Sequence, residues 1–449
     1  MIVLLIASQT TITEMTNNSI MSRIILRPGK EKSLQRRHPW VFSGAIARKD
    51  KDLHDGDIVE VYDAQRQYLA TGHYQPTTIA VRLFSFEQRN IDRDFWREKL
   101  LNAIEFRRKI LLPNPQTTMY RLVNGEGDGM PGLIIDVYGR HLVMQVHSMG
   151  MYRLRETLAE LLTELIPDTQ AICLKTAIET TDSKPGKTDG STSSPSGKPA
   201  ESVNEPVKSV SELVKSVSEP VELTDGWIYG QPDEEVIASE NGILFKIDIV
   251  NGQKTGFFLD QRDSRAMVGE LAKDRTVLNM FSYSGGFSLY ALRGGAQHVD
   301  SVDISQKAIN LVEENVRLMG GDFAQRHNAV CEDVFAFLDR MPDHYYDLIV
   351  LDPPAFAKHH RVKEQGIKGY RNINRKTMEK IRPGGLLFTF SCSQAISRDD
   401  FQTLVFSAAA LAGKNVRVVS RLQHAPCHPV SIYHPEGEYL KGLLLEIGS

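Results

Sequence analysis

The period of the apolar positions changes along the chain, and each change marks a different kind of structure. From Ile24 to Phe86, short β-branched and aromatic runs (IILRPG, WVFSGAI, DGDIVEVYDA, YLATGHYQ, IAVRLFSF) alternate with Gly, Asp and Pro turns, the pattern of a small β-barrel. From about Asp92 to Ile110 the spacing is helical, with Phe95, Leu100, Ile104 and Phe106 standing among charges. Strand-like LIIDVYG and HLVMQVH, a helix near 151–165 and the strand-like AICLK then predict a central α+β unit. Residues 181–224 break the pattern: they contain no aromatic residue and carry the near-repeats SVNEPV, SVSELV and SVSEPV. Pro206 and Pro220 interrupt any heptad, so the composition predicts a disordered surface insertion. ILFKIDIV (243–250) resumes the interrupted unit.

From Gln253 onward the apolar runs are continuous and alternate with helical segments: TVLNM, HVDSVDI, DLIVLD, GGLLFTFSC. Strands buried on both faces mean a doubly wound parallel sheet. VRVVSRL and YLKGLLLEI add two late strands with no clear helix between them. The expected organisation is an extension over 1–21, a barrel over 22–92, an α+β domain over 93–252 holding the 181–224 insertion, and an α/β domain over 253–449. MIVLLIAS is apolar but too short to span a bilayer and has no basic residue before it, so no membrane partner is expected, and ordered-looking sequence begins at Met21.

A net charge of −3 over 449 residues does not suggest a polyanion partner, but the distribution does. Eight Lys or Arg face two acids between Arg23 and Asp50, and nine face two between Lys358 and Arg382. The four cysteines show no metal-binding spacing, which argues against zinc and against disulfides and fits a reducing cytoplasm.

The α/β domain carries its chemistry at strand ends. Gly285 and Gly286 follow the first strand in NMFSYSGGFS, where glycines let the backbone approach a ligand and present helix N-terminal amides. Asp303, twenty-four residues after Asn279, ends the second strand, where a carboxylate can accept from both hydroxyls of a ribose. Asp333 after the third strand can accept from an adenine amino group or simply cap a helix. Asp352 ends the fourth strand in DPPAF, whose prolines fix a rigid loop at the ligand crevice. The loop after the first strand does not show GxGxxG, which argues against a dinucleotide dehydrogenase.

TGFFLDQRDSR (255–265), NMFSYSGGFS (279–288), VDIS (302–305), DPPAF (352–356), FSCS (390–393) and HPEGEYLKGLLL (434–445) together resemble class I methyltransferases of the RlmI type. These are bacterial enzymes that make 5-methylcytosine in 23S ribosomal RNA. The resemblance runs from about residue 22 to the end, apart from the insertion. It implies a PUA-like β-barrel, a central α+β domain and a Rossmann-like methyltransferase domain, with S-adenosylmethionine as cofactor and no metal. Phe257, Gln261 and Arg262 would lie near the cofactor, as would the loop residues Asn279, Phe281, Ser282, Tyr283 and Gly285. Asp303 would bind the ribose, Asp333 the adenine, and Asp352 the region between the methionine group and the target base.

Carbon 5 of cytosine becomes nucleophilic only after addition at carbon 6, and a cysteine thiolate makes that addition well. Cys392, at the carboxyl end of the fifth parallel strand, is the candidate nucleophile with Asp352 beside it. Many RNA cytosine-5 methyltransferases have a second cysteine after the fourth-strand motif; DPPAF has none, as in the RlmI type, and the sequence identifies no base for the carbon-5 proton. RNA contacts are expected from Arg36, Arg37 and Trp40 in the barrel and from Lys358, Lys368, Arg371 and Arg375 beside the DPPAF loop. His359 and His360 read as phosphate contacts or, in preference, as plain surface residues. The rival is a guanine-N7 ribosomal RNA methyltransferase, which needs no thiol; a non-catalytic ribosome-assembly protein or a homodimer also fits the sequence.

Overall fold

The computed structural model describes residues 21–178, 223–357 and 360–449. The expected 1–21 extension therefore falls outside the described residues except for Met21, as do residues 179–222, Lys358, His359 and the side chain of His360. Thr224, taken as the end of the insertion, donates its N–H to Tyr152 Oη at 3.1 Å.

The chain divides into two compact units, the first ending at Gln88. In the first, β1 (Ser22–Leu26), β2 (Trp40–Phe42), β3 (Ile46–Lys49), β4 (Ile58–Tyr62), β5 (Tyr68–Tyr74) and β6 (Ile79–Ser85) form a mixed sheet in the order 2-6-5-4-1-3, with the short helix α1 (Lys32–Gln35). Alternate residues Ile24, Leu26, Val59, Val61, Val81 and Leu83 point into one core, as the period-2 pattern requires.

The second unit opens with α2 (Arg93–Lys109), whose N-cap Asp92 accepts from Phe95 N at 3.0 Å. Phe106, read as part of its apolar face, is only half-buried; Arg107 goes inward instead, because Asp128 meets its guanidinium there. β7 (Met119–Asn124), β8 (Leu133–Tyr138), β9 (His141–Val146), β10 (Ala171–Thr176) and β11 (Gly226–Gly230) form a sheet in the order 11-10-9-8-7. The single helix expected near 151–165 is two, α3 (Met149–Arg153) and α4 (Arg155–Leu165). β12 (Val236–Glu240) and β13 (Ile243–Ile247) make a hairpin.

The doubly wound sheet has the order β16-β15-β14-β17-β18-β20-β19, built from β14 (Thr276–Met280), β15 (His298–Asp303), β16 (His327–Cys331), β17 (Leu348–Leu351), β18 (Gly385–Ser391), β19 (Val416–Leu422) and β20 (Lys441–Ile447). The first five are parallel, and β20 runs antiparallel to both its neighbours. Its helices are α5 (Arg262–Leu271), α6 (Gly286–Arg293), α7 (Gln306–Met319), α8 (Val334–Arg340), α9 (Lys363–Lys380) and α10 (Arg398–Ala412). Residues of the same strands alternate between two cores, Val277, Leu348 and Val350 on one face and Leu278, Ile349 and Leu351 on the other. Strand order reverses at β14, between β15 and β17, which opens a crevice at the carboxyl ends of these strands.

Candidate active site

Each loop around that crevice owes its shape to local rules. After β14 the chain turns through Phe281, Tyr283 and Gly285 with φ of 59°, 45° and 80°. Positive φ costs a side-chain-bearing residue energy, so two such residues in a row of three mark a turn held by its surroundings. The holders are visible: Ser282 N donates to Val302 O at 3.1 Å, and Tyr283 Oη donates to Gly256 O and accepts from Gln253 N, both at 3.0 Å. At Gly285 a Cβ would stand 2.9 Å from Val312 Cγ1, so only glycine fits.

Asp303 is fixed by two backbone amides, Tyr283 N at 3.0 Å and Ser305 N at 2.9 Å, one on each oxygen. A carboxylate so held keeps further lone pairs for the paired hydroxyls of a ribose. Asp333 caps α8 through Phe335 N (2.9 Å) and Ala336 N (3.1 Å), the capping alternative of the two raised by the sequence. Asn279 is buried and donates to Ser288 Oγ at 2.8 Å, in a chain that continues through Ser301 to His327.

The 255–265 segment divides into two sets of residues. Thr255, Phe257 and Arg265 are structural: Thr255 donates to Asp136 at 2.6 Å, Phe257 packs 4.9 Å from Phe245, and Arg265 makes a bidentate pair with buried Glu240 at 2.8 and 2.7 Å. Arg262 is nearly buried and bonds Asp263. Asp260 and Gln261 face the crevice: Gln261 Nε2 donates to Asp352 Oδ2 at 3.1 Å, and Asp260 accepts from Tyr439 Oη at 2.6 Å. Desolvation, with Asp260 adding its negative charge, pushes the Asp352 carboxyl up to about 7, against the opposing Gln261 bond.

Cys392 stands two residues beyond the point opposite Asp352, because Leu351 pairs with Thr389 across parallel strands about 4.8 Å apart. Burial and the Asp352 charge push its thiol up to about 11, and Lys254 opposes them. An ordinary thiol is a few per cent ionised at neutral pH; this one is far less so. Tyr370, fully buried on α9, ties the two loops together: its hydroxyl lies 3.0 Å from Ser393 Oγ and 3.4 Å from Pro354 O. Gly366 and Gly369 let α9 lie against Ala357 and Phe356. Of the other cysteines, Cys331 is exposed, while Cys173 and Cys427 are buried.

Sequence reasoning missed Asp260, Tyr370, Lys254 and Lys441. Asp260 and Lys441 left a trace, the first as a second acid within the motif that supplies Gln261 and the second inside HPEGEYLKGLLL. In the basic segment, Arg375 pairs with Glu379, Lys376 with Asp339, Lys380 with Asp343 and Arg382 with Asp347. Among the described residues, Lys368 and Arg371 have no acidic partner; Lys368 is exposed and Arg371 half-buried. In the barrel unit, Arg36 and Arg37 are exposed, and Trp40 sits edge-on to His38 and Phe42 with Arg82 over its ring.

A ligand with several donors suits this crevice. Ser282 Oγ, Asp260 Oδ1 and Gln261 Oε1 are buried and lack a hydrogen-bond partner within the protein. The ammonium and hydroxyls of S-adenosylmethionine match that donor-seeking set together with Asp303. Fold and crevice thus define a class, a Rossmann-like methyltransferase.

Residues 213–445 match the S-adenosylmethionine-dependent methyltransferase family and residues 24–86 the PUA-like domain. The chain belongs to the family of ribosomal RNA large subunit methyltransferase I. It is 37% identical over 430 residues to the protein of that name from Alteromonas mediterranea, covering 95% of this chain and 99% of that one. The Vibrio cholerae protein of the same name is 36% identical over 429 residues, covering 94% and 99%. The fold is shared with a structure described as a SAM-dependent methyltransferase from Streptococcus mutans, at a TM-score of 0.75 and 22% identity over 95% of this chain and 100% of that one. Another methyltransferase structure, complexed with SAH, gives a TM-score of 0.76 with the same identity and coverage. The enzyme therefore uses S-adenosylmethionine, and among the described residues no helix is long and apolar enough to cross a membrane.

Proposed function

We propose that this methyltransferase forms 5-methylcytosine in large-subunit ribosomal RNA, in the cytoplasm, with Cys392 as the nucleophile. The observation that carries the reading is the shared crevice: a partly buried thiol and a desolvated carboxyl that Gln261 contacts, at the carboxyl ends of adjacent strands. A methyl transfer to guanine N7 needs neither group, because that nitrogen already has a lone pair.

Cys392 gives up its proton and its sulfur bonds to carbon 6. As that bond forms, the ring's electron density moves toward N3, and Asp352 in its protonated form donates a proton there. A protonated Asp352 also removes the neighbouring negative charge that holds the thiol up. Carbon 5, now enamine-like, takes the methyl group. Bound S-adenosylmethionine supplies that methyl as an electrophile on a sulfonium. Carbon 5 then loses its proton to solvent, the sulfur–carbon 6 bond breaks with its electron pair returning to sulfur, the 5,6 double bond returns and N3 gives its proton back to Asp352. Asp303 holds the ribose of the donor. Lys368 and Arg371 hold phosphates of an unpaired target beside this crevice, and Arg36, Arg37 and Trp40 are the barrel unit's own RNA contacts.

The test is trapping. RNA carrying 5-fluorocytosine at the target should form a covalent complex with wild-type enzyme and S-adenosylmethionine, because fluorine blocks the final proton loss. Cys392→Ala should abolish both the complex and methylation while binding the cofactor normally. Methylation by Cys392→Ala at near wild-type rate would overturn the reading in favour of guanine N7.

A further inference from the structure

Lys441 opens β20 and is only 4% exposed. The antiparallel register places it opposite Ser391, and its Nζ donates to Ser393 O at 2.7 Å. Its side chain therefore runs from beside one neighbour of Cys392 to the carbonyl of the other. A buried ammonium normally has a carboxylate partner, since burying an unpaired charge is costly. Lys441 has none: among the described residues no carboxylate forms an ion pair with it. The acids in its neighbourhood are engaged elsewhere, Glu438 with Arg398 and Asp400 with Lys363 and the Ser397 cap.

We propose that Lys441 is a positioning residue for Cys392: a buried ammonium, anchored on the Ser393 carbonyl, that supplies the countercharge when the thiol ionises. The inference rests on the reading of Cys392 as nucleophile. The charges around the thiol show why a countercharge is needed. Burial and Asp260 oppose ionisation, as does Asp352 whenever it has lost its proton; Tyr370 adds no positive charge, and Lys254 acts from an exposed position over the Phe258 and Tyr439 rings. Lys441 acts from the buried side. Its proton stays on nitrogen; the thiol proton leaves to solvent and the sulfur keeps the electron pair. Burial holds the ammonium down to about 8, with Arg398 adding to the shift and Cys392, Glu438 and Asp400 opposing it. The cation is thus present at neutral pH and lost above it.

The test uses the full chain in a Cys331→Ser background, which removes the exposed thiol, and measures iodoacetamide alkylation of the Cys392 peptide by mass spectrometry across pH. Lys441→Gln keeps a donor for the Ser393 carbonyl but no charge. It should raise the apparent thiol pKa by about one unit, slowing alkylation about tenfold near neutral pH. The gap from wild type should close above about pH 8, where the wild-type lysine is neutral too. Lys441→Arg should keep the neutral-pH rate. On 5-fluorocytosine RNA, Lys441→Gln should slow trapping, with kcat reduced and cofactor affinity unchanged. A folded Lys441→Gln with the wild-type alkylation profile would overturn the proposal. If Gln prevents folding, a folded Lys441→Arg that loses the neutral-pH rate would overturn it equally. Because alkylation needs no RNA, these outcomes are separate from failure of the Cys392 reading, which Cys392→Ala decides by methylation.

Discussion

Asp303 and Asp352 occupy equivalent places, each at the carboxyl end of a parallel strand next to β14, yet their surroundings make them different chemical groups. Asp303 takes two backbone N–H groups, which suit a carboxylate and fix it as an acceptor. Asp352 takes one side-chain amide and faces a second acid, Asp260, in a desolvated corner. Topology supplies the position, and the neighbours decide whether the acid stays a fixed acceptor or is driven toward its protonated form.

The strongest break in the comparison is Asp352→Asn. It should lower kcat about 10²–10⁴-fold, the usual range for a lost general acid, while cofactor affinity stays close to wild type. The same substitution should stabilise the ligand-free protein. With the folded value raised to about 7, the native state binds the proton more tightly than the unfolded state does. Wild-type stability therefore falls as pH rises from the unfolded carboxyl range, about 4, toward 7, and is then level. Thermal melts of Asp352→Asn should show no such fall, so its advantage is largest at and above neutral pH and vanishes in acid. Equal melting temperatures at pH 8 would mean Asp352 is not desolvated.

Asp303→Ala should act on the other side of the comparison. Losing a charge-assisted acceptor for ribose hydroxyls costs about 1.5–3 kcal/mol, roughly 10–150-fold in S-adenosylmethionine Kd by calorimetry. kcat at saturating cofactor should fall far less. A wild-type Kd would detach Asp303 from the cofactor.

Both acids were legible in the sequence because each closes a continuous apolar run, and the end of a parallel strand is a position that a hydrophobic pattern reveals. Cys392 was legible for the same reason. What made the two acids differ was not. Asp260, and Tyr439 behind it, reach the corner from segments 179 residues apart, and no local pattern encodes that meeting. The buried pairs Arg121–Asp136 and Arg265–Glu240 look like surface charges in sequence and become visible only once the sheets are packed. Tyr370 is hidden inside a basic run, although its hydroxyl helps tie the DPPAF loop to the FSCS turn, alongside the Ala357 N–H to Ser393 Oγ bond. Tyr370→Phe should loosen that tie, costing about 1 kcal/mol of stability and several-fold in kcat, with little change in cofactor Kd.

The smallest effect should come from the basic segment, and there the structure sharpens what composition suggested. Arg375, Lys376, Lys380 and Arg382 each have an acidic partner within the protein, so their charge is largely matched before any RNA arrives. Lys368 and Arg371 have no such partner among the described residues, so on the proposed reading their charge meets phosphate. Neutralising both with glutamine should flatten the salt dependence of RNA binding by about 0.7 in log–log slope per lost single-strand contact. Arg375→Gln should leave the slope close to wild type, because it removes a cation already paired with Glu379. Filter binding across a salt series separates the two cases. If Arg375→Gln flattens the slope as much as Lys368→Gln does, the internal pairs open on RNA binding, and the segment acts as one charged face. Cofactor affinity should stay constant in all three variants, since the RNA contacts and the Asp303 side of the crevice share no residue.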